Sequence, residues 1–281
     1  MINFTKSALL FSVMFLFFAC STSNPPAIGD ASSPTYKHNQ VVWYDLVTPN
    51  MDGAKEFYGS ILGWTFSDYR VGGRKYVIAY NNSKPVAGMI EVKEANKSVW
   101  IPAVSVKDIV ATSTMAKNSS STVLMPVMDI PGKGKQTFFQ GPQGEDFSLL
   151  QSAKGDPSNS SSVSENAWLW AELWADNPMD AAKYYSTTFE LKVDESTYEG
   201  QPYWVMESRG DLVAGIIKNP VSNQSAQWVP YVKNSNPKAV LDKVKASKGQ
   251  VVLYPSNQVR SGKVGILMDP DGALICIQSR S

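Results

Sequence analysis

The chain has 281 residues, of which 43% are hydrophobic and 18% charged, and its 26 basic and 25 acidic side chains leave a formal net charge of +1. This composition is typical of a globular protein with enough apolar material for two buried cores, and it excludes a disordered or fibrous chain. The balanced charge, without a dense basic run, argues against nucleic acid as a partner.

The first twenty residues differ from the rest of the chain. Lys6 precedes an almost wholly apolar run from Ala8 to Ala19, which is too short to span a bilayer. Cys20 follows directly, and a polar tract comes after it. This segment resembles a bacterial lipoprotein signal, which implies cleavage after residue 19 and lipidation of Cys20. A plain secretory signal that is cleaved nearby is the alternative.

The lipoprotein resemblance has consequences for location and for redox chemistry. Lipidation would leave Cys276 as the remaining cysteine, so no intramolecular disulfide is expected. Ser21 after the cysteine implies the periplasmic face of the outer membrane, in a bacterial cell envelope. Residues 20–40 are rich in Ser, Pro, Ala and Gly and indicate a flexible tether, which would hold the first domain about 25 Å from its anchor.

The next segment predicts a strand and then a helix. Val41 to Val47 suits a strand on which Trp43 and Asp45 share one face. Asn50 is a plausible N-cap, and Gly63 ends the helix. Three short strands then complete a βαβββ unit, and the residues from Trp100 to Gln151 repeat that order.

The whole two-unit pattern then occurs a second time. At an offset of 127, Trp43 corresponds to Trp170 and Tyr58 to Tyr185, while Asp45 falls on Glu172. From Trp100 onward the offset is 128, so Trp100 corresponds to Trp228. The sequence therefore predicts a signal peptide (1–19), a tether (20–40), a first domain (41–152), a linker (153–166) and a second domain (167–281). The second copy includes a helix predicted over residues 237–248.

These features together resemble the vicinal oxygen chelate superfamily of glyoxalases, bleomycin resistance proteins and extradiol dioxygenases. The tyrosine pairs of the two helices, the two Val-Ala-Gly motifs and the closing Asp269-Pro270-Asp271-Gly272 turn carry the resemblance. It implies an α+β fold of two tandem glyoxalase-like domains, in which two βαβββ modules form a cupped mixed sheet. Pairing of the domains within one chain would also permit a monomer.

In the catalytic members of this superfamily, four strand positions supply metal ligands, usually His or Glu. Transferred by the tyrosine register, these positions fall on or beside eight residues: Trp43, Gly88, Ile101 and Ser148 in the first domain, and Trp170, Gly215, Val229 and Cys276 in the second. Only Cys276 is a credible ligand, and a single thiolate does not make a site. We therefore predict no metal and no other cofactor.

The candidate ligand-binding residues are the carboxylates and the aromatic side chains near these positions, together with Ser148 and Cys276. Asp45 and Glu172 could anchor a polar or cationic ligand or act as bases; alternatively, they are structural carboxylates at the domain junction. Trp43, Trp100, Trp170 and Trp228 either line two cups or fill the space that a metal would occupy. Cys276 is expected to be a buried apolar residue rather than a nucleophile.

Three functions remain open at this stage. The preferred one is a lipid-anchored envelope protein that binds a small molecule, or acts as a scaffold, without a metal. The second is a metal-dependent lyase or dioxygenase, and the third is a protein-interaction module of the envelope. The segment Pro131-Gly132-Lys133-Gly134-Lys135 is interpreted as a hairpin turn, because its Gly-Lys pair recurs at Gly262-Lys263.

Overall fold

The computed structural model describes residues 24–157, 163–221 and 224–280. Cys20 and the signal segment therefore lie outside the described residues. Within these ranges, no helix is long and apolar enough to cross a membrane.

The first domain contains eight strands and two helices in the order that the sequence predicts. They are β1 (Val41–Thr48), α1 (Met51–Leu62), β2 (Thr65–Val71), β3 (Arg74–Asn81), β4 (Lys84–Glu91), β5 (Val99–Ser105), α2 (Ile109–Asn118), β6 (Thr122–Ile130), β7 (Gly134–Gln140) and β8 (Asp146–Ser152).

The second domain repeats this order. Its elements are β9 (Trp168–Ala175), α3 (Pro178–Phe189), β10 (Lys192–Tyr198), β11 (Gln201–Ser208), β12 (Asp211–Lys218), β13 (Gln227–Lys233), α4 (Pro237–Val244), β14 (Gln250–Leu253), β15 (Val264–Met268) and β16 (Leu274–Gln278). A short 3₁₀ turn, Arg260–Gly262, lies between β14 and β15.

Each domain forms one eight-stranded mixed sheet with the same topology. The strand order is β2-β3-β4-β1-β5-β8-β7-β6 in the first sheet and β10-β11-β12-β9-β13-β16-β15-β14 in the second. In the first sheet β1 runs parallel to β4 and antiparallel to β5. The predicted α+β fold of two tandem glyoxalase-like domains is confirmed.

The helix ends follow local capping chemistry. The Asn50 side chain accepts a hydrogen bond from the backbone N–H of Gly53, and Gly63 ends α1 in the left-handed conformation, with φ of 69°. The last helix is shorter than its sequence predicts, since α4 ends at Val244 and turns continue to Lys248. Side chains alone do not mark that end, because Lys245 to Lys248 contain no glycine or proline.

The outer faces of both sheets and the four helices share one hydrophobic core. Trp100 and Trp228 lie in this core, and each indole N–H donates to a helix tyrosine, Tyr58 and Tyr185 respectively. Because successive residues of a strand point to opposite faces, Trp100 faces away from the cup that its neighbour Ile101 faces. These two tryptophans therefore lie in the core that the domains share and do not line the cups.

Two reciprocal hydrogen-bond chains cross the domain junction. Tyr58 of the first domain donates to Asp269 of the second at 3.1 Å, and Tyr185 of the second donates to Glu145 of the first at 3.1 Å. Burial raises the pKa of Asp269 to about 6, and burial also raises the pKa of Glu145. The junction carboxylates are thus Glu145 and Asp269, and not Asp45 and Glu172.

The segment before β1 packs against the first domain. Ile28 is buried in the cluster that contains Trp43, and the Pro25 carbonyl lies so close to Gly132 that a side chain there would collide with it. The buried Asp156 carboxylate accepts hydrogen bonds from the Lys37 backbone N–H and from a serine hydroxyl, at 2.7 Å each. From residue 24 onward, the tether expected from composition is a packed segment that covers the first cup.

Candidate functional site

The floor of the first cup is the carboxylate of Asp45, which is fully buried. Its oxygens accept hydrogen bonds from Trp43 Nε1 at 3.2 Å, Tyr76 Oη at 3.0 Å and Gln136 Nε2 at 2.7 Å. Trp43 and Asp45 do share one face of β1, and Tyr76 reaches them from β3. These three donors come from β1, β3 and β7.

Lys133 neutralises Asp45 from the hairpin between β6 and β7. Its ammonium lies 2.9 and 2.8 Å from the two carboxylate oxygens and 3.1 Å from Tyr76 Oη. Both charged side chains are 0% exposed. Burial lowers the pKa of Lys133, and the Asp45 carboxylate opposes that shift. This lysine belongs to the segment that the sequence indicated to be a turn.

The second cup repeats the arrangement with different residues. The buried carboxylate of Glu172 accepts from Trp174 Nε1 at 3.1 Å and from Tyr231 Oη at 2.6 Å. Arg260 Nη2 donates to its other oxygen at 2.5 Å. Both cups therefore contain a floor carboxylate that is paired with a cation from the hairpin following the second helix of the domain.

Arg260 is held in an aromatic cage. Its guanidinium carbon lies 4.8, 5.7 and 5.3 Å from the ring centroids of Tyr198, Tyr203 and Tyr231. Such positions over tyrosine rings are favourable for a cation. Arg260 has a positive φ of 48°. Its backbone N–H is fixed by Glu199 at 2.6 Å, so the loop holds the side chain over the cup.

The two cations do not occupy equivalent positions in the repeat. At the offset of 128, Lys133 corresponds to Ser261 and Arg260 corresponds to Gly132. The two copies thus place a positive charge on the same kind of carboxylate from neighbouring positions of the same hairpin. The offset of 128 therefore pairs neither cation with the other, whereas the offset of 127 that relates Asp45 to Glu172 would pair Lys133 with Arg260.

The positions transferred from catalytic relatives carry few metal donors. Tyrosine hydroxyls fill the space at the glycines, since an added Cβ would lie 2.1 Å from Tyr76 Oη at Gly88 and 2.0 Å from Tyr203 Oη at Gly215. Ser148 donates to the Pro102 carbonyl at 3.1 Å. Cys276 is buried, and burial raises the pKa of its thiol.

Trp170 differs from its equivalent Trp43 in exposure. Trp43 is fully buried, whereas Trp170 is partly exposed and donates to Tyr203 Oη at 3.0 Å. Partly exposed apolar side chains surround the second cup: Leu169, Trp170, Ile217, Val221, Ile266 and Met268. The first cup also has partly exposed apolar side chains around it. The cups differ in that the tryptophan and the cation of the first are buried, whereas those of the second are partly exposed.

A separate cleft of about 350 Å³ lies between the domains, next to the linker. Its lining includes Gln40, Asn81, Lys84 and Trp168. Trp43 and Trp170 also contribute to it, but neither Asp45 nor Glu172 does.

Comparison with known proteins agrees with this architecture. A profile of the Glyoxalase/Bleomycin resistance protein/Dioxygenase superfamily matches residues 40–149. The Mycobacterium tuberculosis protein named "Putative glyoxylase CFP32" is 29% identical over 252 residues, which cover 86% of this chain and 95% of that protein. The first domain thus matches the superfamily profile, and the chain as a whole is similar to a protein named as a glyoxylase.

Further relatives and solved structures show how far the likeness extends. The anthracycline biosynthesis protein DnrV of Streptomyces peucetius is 24% identical, over 82% of this chain and 90% of its own. The Mn(II)-bound glyoxalase of Novosphingobium aromaticivorans superposes with a TM-score of 0.60 at 14% identity, over 87% of this chain and 83% of that one. At this identity the superposition shows the shared fold alone.

The residues present do not fit the metal that such superfamily structures contain. A catalytic divalent ion takes three or four His, Asp, Glu or Cys ligands with an open position for water or substrate. Among the described residues, no group of three such side chains could hold an ion. The single carboxylate of each cup is bound to an internal cation, so no metal step is derived for this protein.

Proposed function

We propose that the protein is a lipid-anchored envelope member of the superfamily that binds a small molecule without a metal. The observation that carries the proposal is the pairing of Asp45 with Lys133 and of Glu172 with Arg260, at 2.8 and 2.5 Å. A buried carboxylate that already binds an ammonium or guanidinium group is a poor metal ligand and a weak general base.

The second cup supports binding rather than a purely structural role. Its Trp170 and Arg260 side chains are partly exposed, whereas the equivalent tryptophan and the cation of the first cup are buried. Pockets for small molecules combine an apolar wall with a few fixed polar groups, and the second cup has both.

A thermal-shift screen tests the binding function. Aromatic, anionic and cationic metabolites should include at least one that raises the melting temperature by mass action, because a ligand of the native state stabilises that state. Glyoxalase and ring-cleaving dioxygenase assays on the same preparation should show no turnover. Turnover that a chelator abolishes would contradict the proposal.

The anchor has its own test and a geometric consequence. The described chain begins at Asn24, so four residue steps separate it from Cys20, and these span at most about 14 Å. A lipid on Cys20 would therefore hold the first cup close to the bilayer surface, rather than about 25 Å away.

Cys20→Ala should move the protein from the membrane to the soluble fraction. Unchanged membrane retention would refute the anchor.

A further inference from the structure

The cations of the two cups differ in how many of their N–H groups have a hydrogen-bond acceptor. In the first cup the three N–H groups of the Lys133 ammonium have three acceptors, the two Asp45 oxygens and Tyr76 Oη, at 2.8 to 3.1 Å. The side chain is fully buried. No donor remains there for a ligand.

Arg260 in the second cup retains free donors. A guanidinium group has five N–H groups, and within the described ranges only Nη2 donates a side-chain hydrogen bond, to Glu172. The buried side-chain nitrogen and oxygen atoms without partners in those ranges are Gln136 Oε1, Thr188 Oγ1 and Asp271 Oδ2. Arg260 Nε and Nη1 are not among them, so solvent reaches these donors. The side chain as a whole is 14% exposed.

The hydrogen-bonding groups around these donors favour a ligand that accepts hydrogen bonds over one that donates them. Both oxygens of the buried Glu172 carboxylate already accept hydrogen bonds, from Arg260 on one oxygen and from Trp174 and Tyr231 on the other. The two oxygens of Glu199 accept from the Arg260 backbone N–H and the Ser261 hydroxyl. A ligand therefore meets unused donors and used acceptors.

The apolar side chains of the second cup favour an anion that carries a flat, apolar group. Tyr198 lies over the guanidinium and is 42% exposed, and Trp170 and Ile266 are partly exposed in the same cup. Aromatic side chains supply contact area at a small cost in conformational entropy. An arginine presents its N–H groups in a planar fork that matches the two oxygens of a carboxylate.

We propose that the second cup binds a small planar organic anion, a carboxylate on an aromatic frame, through the free N–H groups of Arg260 and the face of Tyr198. This inference rests on the proposed function and names its ligand class and its site. The hydrogen bond from the Arg260 backbone N–H to Glu199 already fixes the loop without a ligand, so binding requires little ordering of the arginine.

The test uses salicylate and its neutral analogue salicylamide as probes, with the full-length protein in detergent and calorimetry as the readout. Salicylate should bind at least tenfold more tightly than salicylamide, because a hydrogen bond to a charged group contributes more than one to a neutral group. The double variant Glu172→Gln/Arg260→Met, which leaves no unpaired buried charge, should lose at least tenfold in salicylate affinity.

Two further variants guard against indirect effects. Lys263→Met removes one positive charge from the exposed end of the same loop and should keep salicylate affinity within about twofold. Tyr198→Ala removes an exposed wall without touching the core and should weaken salicylate severalfold. Tyr198→Ala also provides the test if the double variant does not fold.

Three results would overturn the inference: equal affinity for salicylamide, full salicylate affinity in the Tyr198 or double variant, or no salicylate binding at concentrations on the order of 10 mM. Such a failure is distinguishable from failure of the proposed function. If neutral metabolites still shift the melting temperature, binding stands and only the ligand class is wrong; if chelator-sensitive turnover appears, the proposed function itself fails.

Discussion

Lys133→Met should lower the free energy of unfolding by about 3–5 kcal/mol, the range seen when one partner of a buried ion pair is removed. The variant leaves the Asp45 carboxylate at 0% exposure with neutral donors only, from Trp43, Tyr76 and Gln136. Urea unfolding followed by tryptophan fluorescence measures the change. The first domain should account for it, because the Lys133 ammonium binds Asp45 and Tyr76 of that domain.

The double variant Asp45→Asn/Lys133→Met should recover a large part of this loss, because it leaves no buried charge and the amide oxygen still accepts from Trp43 or Tyr76. Lys135→Met is the matched control, since Lys135 lies two residues away and is exposed. Its unfolding free energy should change by less than about 0.5 kcal/mol. If Lys133→Met is as mild as Lys135→Met, the ion pair does not hold the first cup.

Asp269→Asn should remove a pH dependence from stability. Burial raises the pKa of Asp269 from 3.8 to about 6, so its contribution to stability is fully present below pH 4 and is lost as the pH rises through 6. At about 1.4 kcal/mol per pKa unit, this shift corresponds to about 2–3 kcal/mol. Relative to wild type, the variant should therefore gain about that much between pH 4 and pH 7.

Chemical denaturation at several pH values measures this difference. The stability of Glu145→Gln, at the second hydrogen bond of the same junction, should change with pH in the same direction, because burial also raises the pKa of Glu145. Asp52→Asn, at a side chain that is 89% exposed, makes the same charge change without burial and is the control. A constant stability difference between wild type and Asp269→Asn from pH 4 to pH 7 would contradict the account of the junction.

The fold could be predicted from sequence because its signals are local and occur twice. The Asn50 cap, the Gly63 stop and the repeated tryptophan and tyrosine spacing each require only neighbouring residues and a constant offset. The resemblance to a known superfamily then follows from several weak motifs in one order. Such signals determine element order, and element order with the repeat determines the topology.

The site could not be completed in this way, because its partners come together only through the sheet. Asp45 and Lys133 are 88 residues apart, and Glu172 and Arg260 are also 88 apart. The two copies use neighbouring hairpin positions for the cation, so the offset of 128 that relates the hairpins does not pair Lys133 with Arg260. An acidic residue on a buried strand position does signal a missing partner, and that was the available clue.

The domain junction shows the same effect. Glu145 corresponds to Ala273 and Asp269 corresponds to Gly141, yet both carboxylates bind the equivalent helix tyrosine. A Cβ on Gly141 would lie 2.2 Å from the Glu145 carboxylate. The Glu145 carboxylate therefore occupies the place that a side chain on Gly141, the equivalent of Asp269, would take. The two copies therefore share the location and charge of the junction carboxylate, although different aligned positions supply it.

The packed segment before β1 was missed for a similar reason. Its composition of Ser, Pro, Ala and Gly is that of a linker, and the buried residues in its described part, 24–40, are Pro25 and Ile28. Its fixed position depends on the buried Asp156, which lies more than a hundred residues away in the chain. Composition reports the cost of ordering a segment but not the distant groups that compensate for it.

The metal content of the protein tests the central claim most directly. Full-length protein from cells grown with added manganese, iron and zinc would be purified without chelator and analysed by mass spectrometry of the elements. Because internal cations occupy both floor carboxylates, less than about 0.1 ion per chain is expected, with no shift in melting temperature when these metals are added. One ion per chain that disappears in Asp45→Asn or Glu172→Gln would contradict the account.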